Sequence, residues 1–351
     1  MATVTPARVS ENSHDHSHDH RPPRRGRRVV WLAIGVLGVA GLLATRALTG
    51  DNDSLSVPGL TQDLLTLSTS VIIESLPFVV LGVLLSIVVQ AWLPDDLLMR
   101  YLPNSPALRR AAISLFGVAL PVCECGNVPL ARGLVLKGFT VSESMTFLLA
   151  APIVNPITII TTHQAFGFDD GILVARILGG LAIANLVGWL FSLHPEPHSL
   201  LAGRFAAQCA AGDTHARMNR AEKSLDIFVR ESSVLMPAVF IGSLIAGAIQ
   251  VAVPRDVLVW LGSNPLWSIL AMMALAFVIS VCSSVDAFFI LPFASTFMPG
   301  SIVTFLVFGP IIDIKMLAIM RTTFTSRVLI QLSLLVGLMA AFIGLVVNYV
   351  A

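Results

Sequence analysis

Pro121-Val122-Cys123-Glu124-Cys125-Gly126-Asn127-Val128-Pro129 interrupts an apolar segment that otherwise runs over residues 111–136. Two prolines and a glycine deny an unbroken helix its hydrogen bonds there, and a carboxylate between two thiols sits where only hydrocarbon is expected. A second interruption, Val281-Cys282-Ser283-Ser284-Val285-Asp286, falls inside the apolar segment 266–297. Outward from these breaks lie further apolar segments at 29–49, 64–93, 142–162, 171–193, 227–253, 302–320 and 328–350. About 20 helical residues cross the roughly 30 Å of a bilayer's hydrocarbon. With 55% hydrophobic and only 12% charged residues, against about 25% charged in an ordinary soluble chain, the sequence reads as an all-α polytopic membrane protein. Two tyrosines and no alternation of apolar with polar residues exclude an outer-membrane barrel. A net charge of +1, with five arginines confined to residues 21–28, gives no support to nucleic-acid binding.

The chain repeats itself. A shift of 160 carries Pro77, Gly82, Gln90, Pro94, Asp96 and Asn104 onto Pro237, Gly242, Gln250, Pro254, Asp256 and Asn264. A shift of 159 carries Cys123 onto Cys282 and Asn127 onto Asp286, and a shift of 158 carries Pro152 and Asn155 onto Pro310 and Asp313. Two permease-like halves, 64–193 and 227–350, are thus joined by a polar linker at 194–226. If each broken segment were a full crossing, the linker with Arg204, Arg217, Arg220 and Lys223 would fall outside, against the positive-inside rule. If each enters and leaves on one side, the arm, the Arg100–Arg110 loop, Lys137, the linker and the Arg321–Arg327 loop become cytoplasmic, while loops 50–63 and 163–170 carry neither lysine nor arginine. Each half then has three full crossings, so the second is inverted relative to the first. Two inverted-topology repeats with interrupted, re-entrant helices are a transporter architecture. Segment 29–49 adds an N-terminal transmembrane helix, an uncleaved anchor rather than a signal peptide given its long polar lead. Residues 1–28 form a disordered cytoplasmic arm on this reading.

The breaks supply the candidate chemistry. Cys123 and Cys125 flank Glu124, and Cys282 stands in the equivalent place, so converging breaks would bring three sulfurs to one cavity suited to soft metalloids or metal ions. Buried free cysteine is also a common small core residue, and occurrence in both breaks favours the functional reading. Asn127, Asn155, Asp286 and Asp313 form a symmetric amide-and-acid set, with Ser283 and Ser284 beside them, able to bind solute or to cap freed backbone groups. Glu74, Asp286, Asp313 and Lys315 lie in apolar sequence, where ionised groups mark a pathway or a coupling relay; Asp313 and Lys315 are on different helix faces unless the chain unwinds near Pro310. Gly82 with Ser86, Gly242 with Ala246, and Gly180, Ala184 and Gly188 are close-packing residues. His14, His16, His18 and His20 alternate with aspartates in a pattern suited to weak zinc, nickel or cobalt binding, which is as compatible with a solvated tail. No resident cofactor is otherwise implied.

The motifs at 121–134, 148–156, 281–288 and 309–315 resemble those of the permease family that includes the YraQ-type proteins and the organoarsenical efflux permeases. The similarity covers roughly residues 64–350. It implies a multi-pass permease of the cytoplasmic membrane, N-terminus inside, with the family's cysteine motif falling on Cys123 and Cys125. Characterised members export trivalent organoarsenicals, and other relatives are associated with zinc-responsive genes. Glu124 and the histidine arm depart from the arsenical-permease pattern.

The expectation is therefore a secondary transporter, not an enzyme, exporting a thiophilic or metal-like solute such as a trivalent organoarsenical or a divalent transition metal. Its partners would be the bilayer, the solute, and a second copy or an accessory membrane subunit. No Gly-x-x-x-x-Gly-Lys-Ser/Thr loop is present to bind ATP. Two other classes remain open: a membrane thiol oxidoreductase, against which the Cys-x-Cys spacing speaks, and a membrane subunit of a metal-handling complex. An intramembrane zinc protease would need a His-Glu-x-x-His motif that is absent.

Overall fold

The computed structural model describes residue 41 and residues 59–94, 102–119, 122–168, 171–211, 219–252, 265–294 and 296–350. The arm 1–28, with His14, His16, His18 and His20, and the anchor 29–49 apart from Gly41 lie outside the described residues. Within the described residues the chain is all-helical, with one isolated bridge between Leu201 and Phe324.

The first half comprises α1 (Gly59–Ile87, prolonged by a π-helical turn at Val88–Trp92), α2 (Pro106–Ser114), α3 (Phe116–Ala119), α4 (Glu124–Leu136), α5 (Val141–Val154), α6 (Pro156–Phe166) and α7 (Ile172–Ser192). A short amphipathic helix, α8 (Gly203–Ala210), occupies the linker. The second half comprises α9 (Arg220–Ala252), α10 (Pro265–Ile279), α11 (Asp286–Ile290), α12 (Pro299–Phe308), α13 (Ile314–Met320) and α14 (Ser326–Val350). Among the described residues, five helical stretches are long and apolar enough to cross a membrane: Gln62–Trp92, Val141–Phe166, Ile172–Ser192, Arg220–Val251 and Ser326–Val350. The protein is a polytopic helical membrane protein, and its helices are apolar on nearly every face because lipid lies on one side and protein on the other.

Contacts between helix ends fix the path of the chain. Lys137 Nζ donates to the Leu93 carbonyl at 3.0 Å and Arg109 pairs with Glu143 at 3.5 Å. The end of α1, the start of α2, the end of α4 and the start of α5 therefore share one end of the molecule, here called proximal. The α2–α3 and α4 arms thus form a hairpin whose tip, at Val122–Glu124, points into the interior. At the opposite, distal end, Gly300 N donates to Asn348 Oδ1 at 2.7 Å, joining the start of α12 to the end of α14. The turn after α13 returns to the linker at the proximal end, where Ala202 N donates to Thr323 O at 2.8 Å and Thr325 N to Leu200 O at 3.1 Å. Helices α5, α6 and α7 accordingly run proximal to middle, middle to distal and back, whereas α12, α13 and α14 run the reverse course. The two halves are inverted.

Small residues set the close approaches. A methyl group at Gly82 would lie 2.5 Å from Gly126 Cα, so α1 touches α4 backbone to backbone. Gly242 fills the same role in α9 against α13, where an added Cβ would meet Ala318 Cβ at 2.8 Å. Between α5 and α7 the side chain of Thr146 occupies the space left by Gly188, and Thr304 does so at Gly344 between α12 and α14. Without a hydrophobic drive inside lipid, contacts of this kind hold the bundle together.

Candidate functional site

At the first break Cys123 is extended (φ −75°, ψ 174°) and serves as N-cap of α4 without using its thiol. Its carbonyl accepts from Gly126 N at 3.0 Å and Asn127 N at 3.3 Å. The preceding carbonyl, Val122 O, has lost its helical partner and accepts from the side-chain amides of Asn127 at 3.5 Å and Asn155 at 3.2 Å. Asn155 Oδ1 in turn accepts from Ile157 N at 3.0 Å and starts α6, whose first residue, Pro156, needs no hydrogen-bond partner. Glu124 is left in the first turn of α4, where the helix dipole favours an anion.

The second break holds its backbone differently. Ser280 has φ 53°, a left-handed conformation unusual for a non-glycine residue. Gln250 Nε2 reaches across from α9 to the Ile279 carbonyl at 2.7 Å and the Val278 carbonyl at 3.4 Å. Cys282 O then accepts from Val285 N at 3.0 Å and Asp286 N at 3.1 Å, restarting the helix.

The two breaks meet at Glu124. Its Oε2 accepts from Ser283 Oγ at 3.0 Å and Ser283 N at 3.4 Å, with the Cys282 thiol at 3.8 Å. Its Oε1 pairs with Lys315 Nζ at 3.4 Å. Ligand atoms of Cys123, Glu124 and Cys282 all lie within 4.8 Å of one another. The Cys123 thiol has both Cys125 and Cys282 as side-chain neighbours, and Ser284 Oγ lies 3.7 Å from Cys282 Sγ. Cys123, Glu124, Cys282 and Lys315 are each no more than 3% exposed. Bonds of about 2.3 Å to sulfur put two ligands of a tetrahedral ion roughly 3.8 Å apart, so a small inward adjustment would let one soft atom bridge the halves.

The other sequence candidates divide. Glu74, half-buried on α1, has Lys315, Glu124 and the Cys282 N–H as electrostatic neighbours and so faces the same centre. Asp313 is the N-cap of α13, accepting from Met316 N, and its second oxygen has no hydrogen-bond partner. Residues 309–312 are unwound into turns, yet the ion pair of Lys315 is made with Glu124, with Asp313 a further charge neighbour. Asp286 points away from the thiols and forms a bidentate pair with Arg176, at 3.0 and 2.6 Å, while the same guanidinium donates to Thr162 Oγ1 at 2.7 Å. Asn127 stays within its own break.

Sequence reasoning passed over Arg176, and also Arg132, whose Nε pairs with Glu231 at 2.8 Å; all three side chains are buried. A signal was available. Each is a charged residue inside an apolar segment, the same property that singled out Asp286 and Lys315.

Comparison with known proteins gives the chain its family. Residues 61–349 match the family model described as a predicted permease, of the ArsP type. The YcgR protein of Bacillus subtilis is 36% identical over 271 residues, covering 74% of this chain and 87% of the relative. A putative two-component membrane permease complex subunit of Streptococcus mutans is 33% identical over 270 residues, covering 76% and 89%. The YraQ protein of Escherichia coli is 28% identical over 111 residues, 32% of each chain. No solved structure matches. A match that spans both halves and both breaks, on a fold of membrane-crossing helices, means that this chain belongs to the ArsP-type predicted permease family and is a multi-pass membrane permease.

Proposed function

We propose that this permease is a secondary transporter of the cytoplasmic membrane that exports a thiophilic solute through the centre formed by Cys123, Glu124 and Cys282. The supporting observation is that soft and hard ligand atoms from opposite, inverted halves lie within 4.8 Å of one another at the tips of two broken helices. A solute held there is held by both halves at once, which is the requirement of alternating access about a fixed site. Thiolate sulfur suits polarizable acceptors, so the two solute classes are a trivalent organoarsenical and a divalent transition metal ion. The first would exchange two As–OH bonds for two As–S bonds to Cys123 and Cys282, each thiol proton leaving with a hydroxide as water. The second would displace the two thiol protons into solution, so proton release on binding separates the classes. Cys125 and Ser284 line the centre, Ser283 holds the Glu124 carboxylate, and Asn127 and Asn155 hold the freed Val122 carbonyl.

For energy we place proton coupling at Glu74, which is half-exposed and faces the Glu124–Lys315 pair, with Asp286 and Asp313 as secondary acids. The arm with His14, His16, His18 and His20 would be cytoplasmic and bind metal ions weakly, and a relative named as a subunit of a two-component permease complex makes an accessory membrane subunit reasonable here as well. The test is a resistance and uptake panel of trivalent arsenicals, antimonite, zinc, cobalt and nickel in cells with and without the gene. Replacing Cys123 or Cys282 by serine should cost roughly tenfold or more in resistance to one class of solute, as expected when a shared ligand is lost. Full resistance in the Cys123→Ser, Cys282→Ser double variant would end the proposal.

A further inference from the structure

We propose that two buried ion pairs, Arg132–Glu231 and Arg176–Asp286, are the two gates of the permease, one closing each end of the path to the Glu124 centre. The inference rests on the reading of that centre as the transport site. Each pair joins an arginine of the first half to an acid of the second, so neither can persist if the halves separate at its end.

The pairs lie on opposite sides of the centre. Arg132 is about two turns along α4 from Glu124, roughly 12 Å toward the proximal end at 1.5 Å per residue. There its guanidinium binds Glu231 at 2.8 Å and the Thr322 carbonyl at 3.0 Å. Phe205 of the linker helix α8 covers the guanidinium at 4.2 Å from the ring centroid, so the strap that joins the halves lies against this gate. Arg176 opens the second turn of α7, beside Thr162 near the end of α6, both toward the distal end. Its partner Asp286 opens α11, the arm that leaves the second break for that same end.

Buried ion pairs are poor devices for stability, because desolvating two charges cancels most of their attraction. Apolar side chains would close both ends more simply. Charges suit a contact that must also open, since each partner regains water when its end becomes a vestibule, and the closed and open states stay close in free energy. With both pairs made and the centre buried, the structure is occluded.

The experiment uses the thiols of the centre as reporters, in full-length protein carrying Cys209→Ser, with a membrane-impermeant maleimide applied to right-side-out and inside-out vesicles and no solute added. With both gates intact, labelling should be slow from both faces. Glu231→Gln should speed labelling roughly tenfold from one face only, and Asp286→Asn from the other, as a shift of population toward one open state. The apolar double variant Arg132→Met, Glu231→Met should return to slow labelling, and reads the proximal gate even if a single variant fails to fold. Rapid labelling with both gates intact, the same face opening in both variants, or equal gains on both faces would overturn the proposal. Because no solute is involved, such a result beside intact cysteine-dependent resistance would refute the gates and leave the transport site standing.

Discussion

The two breaks descend from one pattern and are held open by different means. At the first, amides of the same half, Asn127 and Asn155, converge on the Val122 carbonyl. At the second, Gln250 of α9 takes the freed carbonyls, and Asp286, the counterpart of Asn127, reaches Arg176 in the other half. Asn155 and Asp313, by contrast, have kept one role, each accepting a backbone N–H at the start of the next helix. One equivalent pair of residues is thus still structural, while the other has turned from internal support to contact between halves. The two elbows match in sequence, whereas the charges that join the halves, Arg176 to Asp286, Arg132 to Glu231 and Lys315 to Glu124, are unmatched in the repeat.

The sharpest way to break this comparison is to make the second break resemble the first. Asp286→Asn restores the amide found at Asn127 but leaves Arg176 charged and buried without a counter-charge, its hydrogen bonds reduced to Thr162 and one neutral amide oxygen. Removing one member of a buried pair costs about 3–5 kcal/mol. The unfolding midpoint in detergent should fall sharply, and the double variant Arg176→Met, Asp286→Asn should recover most of the loss. If the single variant is as stable as the unaltered protein, the acid is not the counter-charge of that arginine.

A smaller effect separates the two close approaches. Gly82→Ala would set a methyl group against Gly126 backbone, two residues from Glu124, and backbone cannot turn aside. Gly242→Ala makes a milder clash, with Ala318 Cβ at 2.8 Å and the Lys315 backbone at 3.3 Å, so α13 need move less than α4 would. Overpacking of the first kind costs about 1–3 kcal/mol, and the same midpoint measurement should show Gly242→Ala losing less. Equal losses would mean that α1 and α9 pack on their partners equivalently.

Much of this was legible in the sequence. Prolines and polar residues inside apolar runs located both breaks, because only a few residue types interrupt a helix in lipid, and the distribution of lysine and arginine favoured hairpins in inverted halves. The cross-half partners were harder to see. Lys315 falls opposite Ile157 in the repeat, and Glu124 opposite Ser283. A search for matching residues finds what duplication preserved and passes over complementary charges, which have no counterpart. Arg176 lay in a segment read only for the packing of Gly180, Ala184 and Gly188, although a lone arginine amid apolar residues demands a partner as strictly as a lone aspartate does.

The smallest expected effect is the most discriminating. Asp313→Asn is the same chemical change as Asp286→Asn, made at the position whose role matches Asn155. Asparagine and aspartate cap helices about equally well, so this variant should cost under about 0.5 kcal/mol, whereas Asp313→Ala should cost about 1 kcal/mol through loss of the cap and Asn155→Ala more, because it also removes a donor from the buried Val122 carbonyl. Near-neutrality would show that the charge of Asp313 adds nothing to the cap and that its free oxygen carries no essential ion pair. A fall as large as that of Asp286→Asn would mean that Lys315 depends on Asp313 as well as on Glu124, and that neither acid of the second half has kept the simple structural role of its amide counterpart.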